Sequence, residues 1–193
     1  MVKIVQKENP ILRKDALEVP INEITTPKIK KIISEMKIAL AREDDGVAIA
    51  APQIGVPLRI FVVSGKVAEL TKKSGQMENV TESRSPLPKS NATSAAGRQD
   101  SIFINPVIKK LSREKKMTEE GCLSVRYLYG KVKRSNKATI EACDENGKKR
   151  TTGASGLLAQ IFQHEVDHLN GVLFTDKAVN IEEIIPPNIA RQK

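Results

Sequence analysis

The chain has 193 residues, a formal charge of +9, two cysteines, two histidines, no tryptophan and 3% aromatic residues. That length allows one substantial core, built here from Ile, Val, Leu and Ala; two cysteines exclude a disulfide framework, and no apolar run approaches the roughly 20 residues of a membrane-spanning helix. Met1 to Pro10 lacks the apolar stretch of a signal peptide and the bias of a transit peptide, which reads as a cytoplasmic protein with no membrane partner. The positive charge admits a polyanion such as ribosomal RNA. Without aromatic-rich stretches or a nucleic-acid motif, the preferred reading is a solvated basic surface and no sequence-specific nucleic-acid binding.

Thr26 to Arg42 reads as a helix, with Thr26 as N-cap, Pro27 at the first helical position, and Ile29, Ile32, Ile33, Met36 and Leu40 at helical spacing. It ends in the acidic turn Glu43-Asp44-Asp45-Gly46. A small-residue stretch from Val47 to Gly55 leads into a strand from Leu58 to Val63. From Ser64 to Asp100 polar residues dominate and apolar ones stand singly, so this run is expected to be a long mobile insertion. A strand from Ile102 to Ile108 follows, then strands near Met117–Leu123 and Val132. A hairpin comes next, in which Thr139–Cys143 enters the turn Asp144-Glu145-Asn146-Gly147, with Asn-Gly supplying positive φ angles. Ser155 to Asn170 is the second helix, with Gly171 at its C-terminal stop. The tail is expected to be irregular. Strand runs broken by two separated helices imply an α+β class, and 1–193 reads as a single domain with the insertion at about 64–100.

Both histidines lie in His164-Glu165-Val166-Asp167-His168. Residues at i and i+4 share a helix face, so the two imidazoles can reach one metal ion, with Glu165 beside them as a proton acceptor. The competing reading is a chance pattern on a solvated helix. A catalytic site needs a third protein ligand and an open position. Glu182 and Glu183 lie downstream, whereas Cys122, in Glu120-Gly121-Cys122-Leu123-Ser124, would complete a Cys/His/His set suited to zinc or ferrous iron. The alternative for Cys122 is a buried small hydrophobe. For Cys143, alternating with Ile140 and Ala142 in a strand, that alternative is preferred.

Three segments together, Gly46-Val47-Ala48-Ile49-Ala50-Ala51-Pro52-Gln53, Glu120-Gly121-Cys122-Leu123-Ser124 and Gln163-His164-Glu165-Val166-Asp167-His168, resemble in order and separation the signature motifs of the peptide deformylases. The similarity runs from about Ile4 to Phe174, outside the insertion. Two positions depart from it: Ala48 stands at the usual second glycine of the first motif, and Arg126 where many members carry proline. The resemblance implies a fold of antiparallel strands around a central motif-bearing helix. It also implies hydrolytic release of formate from the formyl-methionine of nascent polypeptides, with transient ribosome association compatible. Cys122, His164 and His168 would bind one divalent ion, Fe(II) by resemblance, with Zn, Ni or Co able to occupy the same ligands. Glu165 would be the general acid–base. Gln53 and the Leu123 amide would stabilise the oxyanion. Gly46, Val47 and Ala48 would line the substrate groove, with Leu157 and Ile161 as candidates for the methionine pocket. For Gln53 the alternative is a loop-tying amide; for Leu157 and Ile161 it is core packing. Arg134 is expected to pair with Asp167 and hold helix and strand in register. Other readings are a different metal amidase or peptidase on the same site, and a basic ribosome-associated protein with a structural metal.

Overall fold

A computed structural model of the chain describes residues 2–73 and 99–186. The first helix, α1 (Pro27–Ala41), begins at Pro27, whose fixed φ and missing N–H suit a first helical position. Thr26 is the N-cap residue, but its hydroxyl donates back to the Glu23 carbonyl at 2.7 Å and caps no helix amide. Ile29, Ile33, Met36 and Leu40 are buried on one face, and Ile32 only partly. Each large apolar side chain removed from water in this way contributes about 1.5–3 kcal/mol.

That face lies on a five-stranded antiparallel sheet. Its strands are β1 (Ala48–Ala50), β2 (Ile60–Val63), β3 (Ser101–Leu111), β6 (Lys137–Cys143) and β7 (Lys149–Ser155), side by side in the order β1-β2-β3-β6-β7. Successive strand side chains point to opposite faces. Ile60 and Val62 of β2, with Ile102 and Ile104 of β3, therefore join α1, while Phe61, Val63 and Phe103 face the other way. The second face receives α3 (Gly156–Leu169): Phe61 and Phe103 stack with ring centroids 4.6 Å apart, and Phe162 meets Phe103 edge-on at 5.1 Å. Cys143 is buried in the α1-side core, as the strand alternation predicts. A second sheet, β4 (Lys115–Cys122), β5 (Val125–Ser135) and β8 (Val179–Glu183), flanks the exposed edge of α3. Mixed helices and antiparallel sheets make this an α+β fold, with the motif-bearing helix between the two sheets.

Three expectations are corrected. The polar run from 64 begins with a helix, α2 (Lys66–Lys73), because Val67 is buried in the core that α3 caps; tertiary docking overrides composition there. The base of the run is closed by the Gly65 amide donating to the Asp100 carboxylate at 3.1 Å, and the rest of that expectation, 74–98, lies outside the described residues. The tail is not irregular throughout: β8 pairs antiparallel with β5, Tyr129 opposite Glu182 and Lys131 opposite Val179, although every residue of β8 is exposed. Backbone pairing rather than burial makes that strand. In the β6–β7 hairpin only Gly147 has positive φ, at 77°; Asn146 does not. The Gly147 amide donates to the Asp144 carbonyl at 2.9 Å, and the Asp144 amide to the Lys148 carbonyl at 3.0 Å. This is a turn closed by one left-handed glycine, not the two-residue type with positive φ at both centres.

Gly171, just past α3, has φ +67°, and a Cβ there would lie 2.8 Å from the Arg13 backbone carbon. The helix stop and the docking of the N-terminal segment thus require the same residue.

Asp144 organises the hairpin: one oxygen accepts the Asn146 and Lys148 amides at 2.9 and 3.0 Å, the other the Arg150 Nε at 2.8 Å. Burial would raise its pKa, but the Arg150 bond and the two amides outweigh this and lower it. A lowered native pKa means the stabilisation is complete above the ordinary carboxylate value of about 3.9 and is lost as pH falls through the native one. Asp144→Asn should reduce unfolding free energy by about 1–2 kcal/mol at neutral pH, with the deficit narrowing in urea titrations at more acid pH. A deficit that stays constant into strong acid would show that the charge is not the cause.

Candidate active site

The two histidines of α3 stand one turn apart, with ring centroids 4.9 Å apart. His168 is 1% exposed, and its Nε2 lies 3.1 Å from Cys122 Sγ. Cys122 arrives from the far side, at the end of β4. There the pairing shifts between Gly121 and Cys122, and the chain turns tightly enough for Cys122 to sit opposite Val125. The Ser124 amide donates to the thiol at 3.4 Å. The donor atoms of Cys122, His164 and His168 all lie within 4.8 Å of one another. Glu182 and Glu183, the downstream carboxylates, sit exposed on β8 and are not part of this group.

The donor set fits a divalent transition metal. One sulfur and two imidazoles make a borderline-soft trio, and three such ligands would leave a metal ion able to take a water or substrate as well. Glu120 Oε2 binds His164 Nδ1 at 2.9 Å, the outer-shell bond that fixes a ligating ring and turns its other nitrogen inward. His168 Nδ1 and Glu165 Oε2 are buried with no hydrogen-bond partner among the described residues. Burial alone would raise the Cys122 thiol, but the charge of His168 and hydrogen bonds from both imidazoles bring it down to about 5, which favours the thiolate, the form a metal would take. Glu165 moves the other way: burial raises it to about 7 against the lowering pull of the two histidines.

Behind the donors runs a chain of alternating charges. Arg134 grips both oxygens of Glu120, Nε at 2.7 Å and Nη2 at 2.9 Å, and its Nη1 reaches Asp167 at 2.6 Å. Lys177 covers the other Asp167 oxygen at 2.7 Å. The expected Arg134–Asp167 pair is therefore present, and it is one arm of a larger fork. Burial would raise Glu120, but the Arg134 bonds and His164 pull it down to about 2. The sequence reading assigned Glu120 no role, yet a signal existed: it lies two residues before Cys122 in a strand, hence on the same face.

Gln53 is 2% exposed in the short turn Ala51–Ile54 that follows β1. Its Oε1 accepts the Ala50 amide at 2.8 Å, and its Nε2 donates to Ser124 Oγ at 3.2 Å and lies 3.6 Å from Cys122 Sγ. The loop-tying role and a place beside the thiol thus coexist in one side chain.

Gln53, Glu120, Cys122, His164 and Glu165 open on a cleft of about 250 Å³, whereas His168, Arg134 and Asp167 lie behind its lining. Gly46, Val47 and Ala48 form one wall, Leu157, Ile161, His164 and Glu165 the floor, and Cys122 and Leu123 the head. Ile161 also belongs to the core, and Leu157 packs on its edge, so packing and lining are not alternatives here. Ala48 is an ordinary strand residue paired with Val63, and its φ is not positive, so no glycine is needed at that position. Tyr127, Leu128 and Tyr129 complete the opposite wall; they follow the cysteine motif, and their place was not visible in the sequence. Arg126, the second departure, forms ion pairs with Glu43 and, at 2.9 Å, with Asp45, joining the two walls at the mouth.

Comparison with known proteins agrees with this geometry. The polypeptide deformylase family model matches residues 1–183. A chloroplastic peptide deformylase 1A of Solanum lycopersicum is 37% identical over 180 residues, 92% of this chain but 59% of its own length; this chain spans about three fifths of that plant relative. Peptide deformylase 2 of Clostridium acetobutylicum is 36% identical, covering 88% of this chain and 89% of its own. The crystal structure of a peptide deformylase from Thermotoga maritima superposes with a TM-score of 0.69 at 29% identity, over 93% of this chain and 98% of that one. The chain belongs to the polypeptide deformylase family.

Arg134→Met should cost about 3–5 kcal/mol of stability, because it leaves the buried Glu120 carboxylate with His164 alone and Asp167 with Lys177 alone. Arg134→Lys should restore little of it, since an ammonium cannot span three oxygens as the planar fork does. Chemical denaturation of the three proteins checks both; equal midpoints for wild type and Arg134→Met would remove the fork from the stability of the fold.

Proposed function

We propose that this chain is a deformylase that hydrolyses the formyl group from the N-terminal formyl-methionine of nascent polypeptides and releases formate, with residues 1–193 acting as one catalytic domain. Family membership supports the reaction, and one observation carries it to these residues. The Glu165 carboxylate is buried at the floor of the cleft, has an oxygen without a partner among the described residues, and adjoins the Cys122, His164 and His168 donors. Such an arrangement suits proton transfer more than structural pairing, because a buried polar atom without a partner is otherwise destabilising.

In this reading Cys122, His164 and His168 hold one divalent ion, which when bound supplies Lewis acidity that activates water at neutral pH. Glu165 accepts the proton of the attacking water and returns it to the departing amine. Burial lifts its carboxyl above the ordinary carboxylate range, which makes it a stronger base. Negative charge then grows on the formyl oxygen. The Gln53 amide is held by Ala50 and Ser124, its second N–H, which now faces the Cys122 sulfur, would turn to that oxygen, and the Leu123 backbone N–H is its companion. Gly46, Val47 and Ala48 bind the peptide along one wall, and Leu157 and Ile161 receive the methionine side chain. The family resemblance favours Fe(II), although Zn, Ni or Co suit the same donors. Bacterial relatives support a cytoplasmic setting, whereas the tomato relative is titled chloroplastic. A charge of +9 is compatible with transient ribosome contact. Among the described residues no helix is long and apolar enough to cross a membrane.

Anaerobically purified protein should contain about one transition-metal ion per chain and release formate from a formyl-Met peptide but not acetate from its acetyl counterpart. Cys122→Ala should lose most of the metal. Glu165→Gln should keep it and lose roughly 10²–10⁴-fold in kcat, the usual contribution of general acid–base catalysis. A metal-replete Glu165→Gln protein with undiminished turnover would remove Glu165 from the mechanism, and absence of formate from wild type would defeat the reading as a whole.

A further inference from the structure

Residues 4–6 lie outside regular secondary structure and belong to none of the three motifs. The Val5 amide donates to the Gln53 carbonyl at 2.9 Å, and the Gln6 side-chain amide donates to the Leu123 carbonyl at 3.2 Å. Ile4 packs into the core cluster that contains Leu123, and Val5 into the one that Cys122 joins. Three consecutive residues therefore hold, by backbone, by side-chain amide and by packing, the two loops that carry Gln53 and Leu123.

Those loops have no shared element. Gln53 follows β1 in one sheet, and Leu123 follows β4 in the other. Among the described residues the Gln53 side chain bridges them through its bonds to Ser124 and Cys122, neither of which holds the Leu123 carbonyl. A carbonyl anchored from behind fixes the plane of its own peptide and so limits the rotation, about the shared Cα, of the preceding peptide and of the side chain that leave the same residue. Two donors that meet on one oxygen must both lie about 2.7–3.1 Å from it, so small rotations of either peptide weaken the pair.

We infer that Val5 and Gln6 are positioning residues for the oxyanion donors, setting Gln53 and Leu123 relative to one another without touching substrate. The inference rests on the deformylase reading above. Because the donors act on charge that develops during reaction, losing their alignment lowers kcat and leaves KM and metal content near wild type.

The test uses the full-length, metal-replete chain and a formyl-Met-Ala-Ser peptide. Val5→Pro removes the N–H that binds Gln53, while Val5→Ala keeps it and loses only packing. We expect kcat of Val5→Pro to fall about 10-fold below that of Val5→Ala, a part of the 10²–10³-fold that loss of a whole oxyanion donor costs. In a Gln53→Ala background the Val5→Pro change should cost less than about twofold, because residues that act as a unit are not additive. Gln6→Met should lower kcat, and Gln6→Lys, which restores a donor, should recover it; this pair decides the matter if Val5→Pro does not fold. Equal kcat for Val5→Pro and Val5→Ala, additive losses with Gln53→Ala, or wild-type kcat in Gln6→Met would overturn the inference. A wild-type protein that releases no formate would instead overturn the reading on which it rests.

Discussion

Arg134 lies almost wholly buried in β5, with Glu120 from β4 on two of its nitrogens and Asp167 from α3 on a third. The guanidinium is planar and always charged, so it can satisfy three oxygens from two directions without adjusting its own geometry. One strand pair is thereby fixed against the helix, and Glu120 shares one of the two oxygens that Arg134 holds, Oε2, with His164 Nδ1. The orientation of the His164 ring is thus inherited from an ion pair one step removed. A buried pair of this kind is not a cheap source of stability, because desolvation opposes the Coulombic gain. Its effect here is geometric: it sets where β4 ends, and so where Cys122 stands relative to α3.

α3 has to satisfy two unlike neighbours. Ala159, Phe162, Val166 and Leu169 belong to the core formed with the five-stranded sheet. His164, Glu165 and His168 carry the polar chemistry of the same helix. Only His164 and Glu165 reach the cleft lining, since His168 is almost wholly buried. The 3.6-residue period places apolar and ligating positions on adjacent stripes, so the packing that buries one stripe also presents the other. Gln163 reinforces the setting, exchanging two bonds of 2.9 Å with the backbone of Ser135 in β5. The same packing buries Glu165, whose Oε2 has no hydrogen-bond partner among the described residues.

Much of this was legible in the sequence. The helix α1, the strand β2, the hairpin and α3 follow from apolar period, proline and glycine positions. The Cys/His/His set follows from the rarity of histidine and one well-placed cysteine. Less was legible where pairing replaced burial. β8 has only exposed residues, so its hydrophobic signal is confined to Val179, Ile181 and the backbone. α2 was masked by polar composition because its anchoring is concentrated in Val67. The tyrosines of the far wall follow the cysteine motif in a stretch of no regular period, and Tyr127 there has φ +66°.

By itself, then, the sequence determined the ligand types, their i, i+4 spacing, and the family to which the three motifs point. These are local properties, written in side-chain identity and in distances along one element. Only the tertiary structure decided which carboxylate steadies His164, how Gln53 comes within reach of a thiol 69 residues away, and how residues 4–6 reach both donor loops. Contacts between elements depend on the order in which strands pair and on which face each helix covers. No periodicity along the chain encodes that order, because the free energy of packing is shared among residues far apart in sequence.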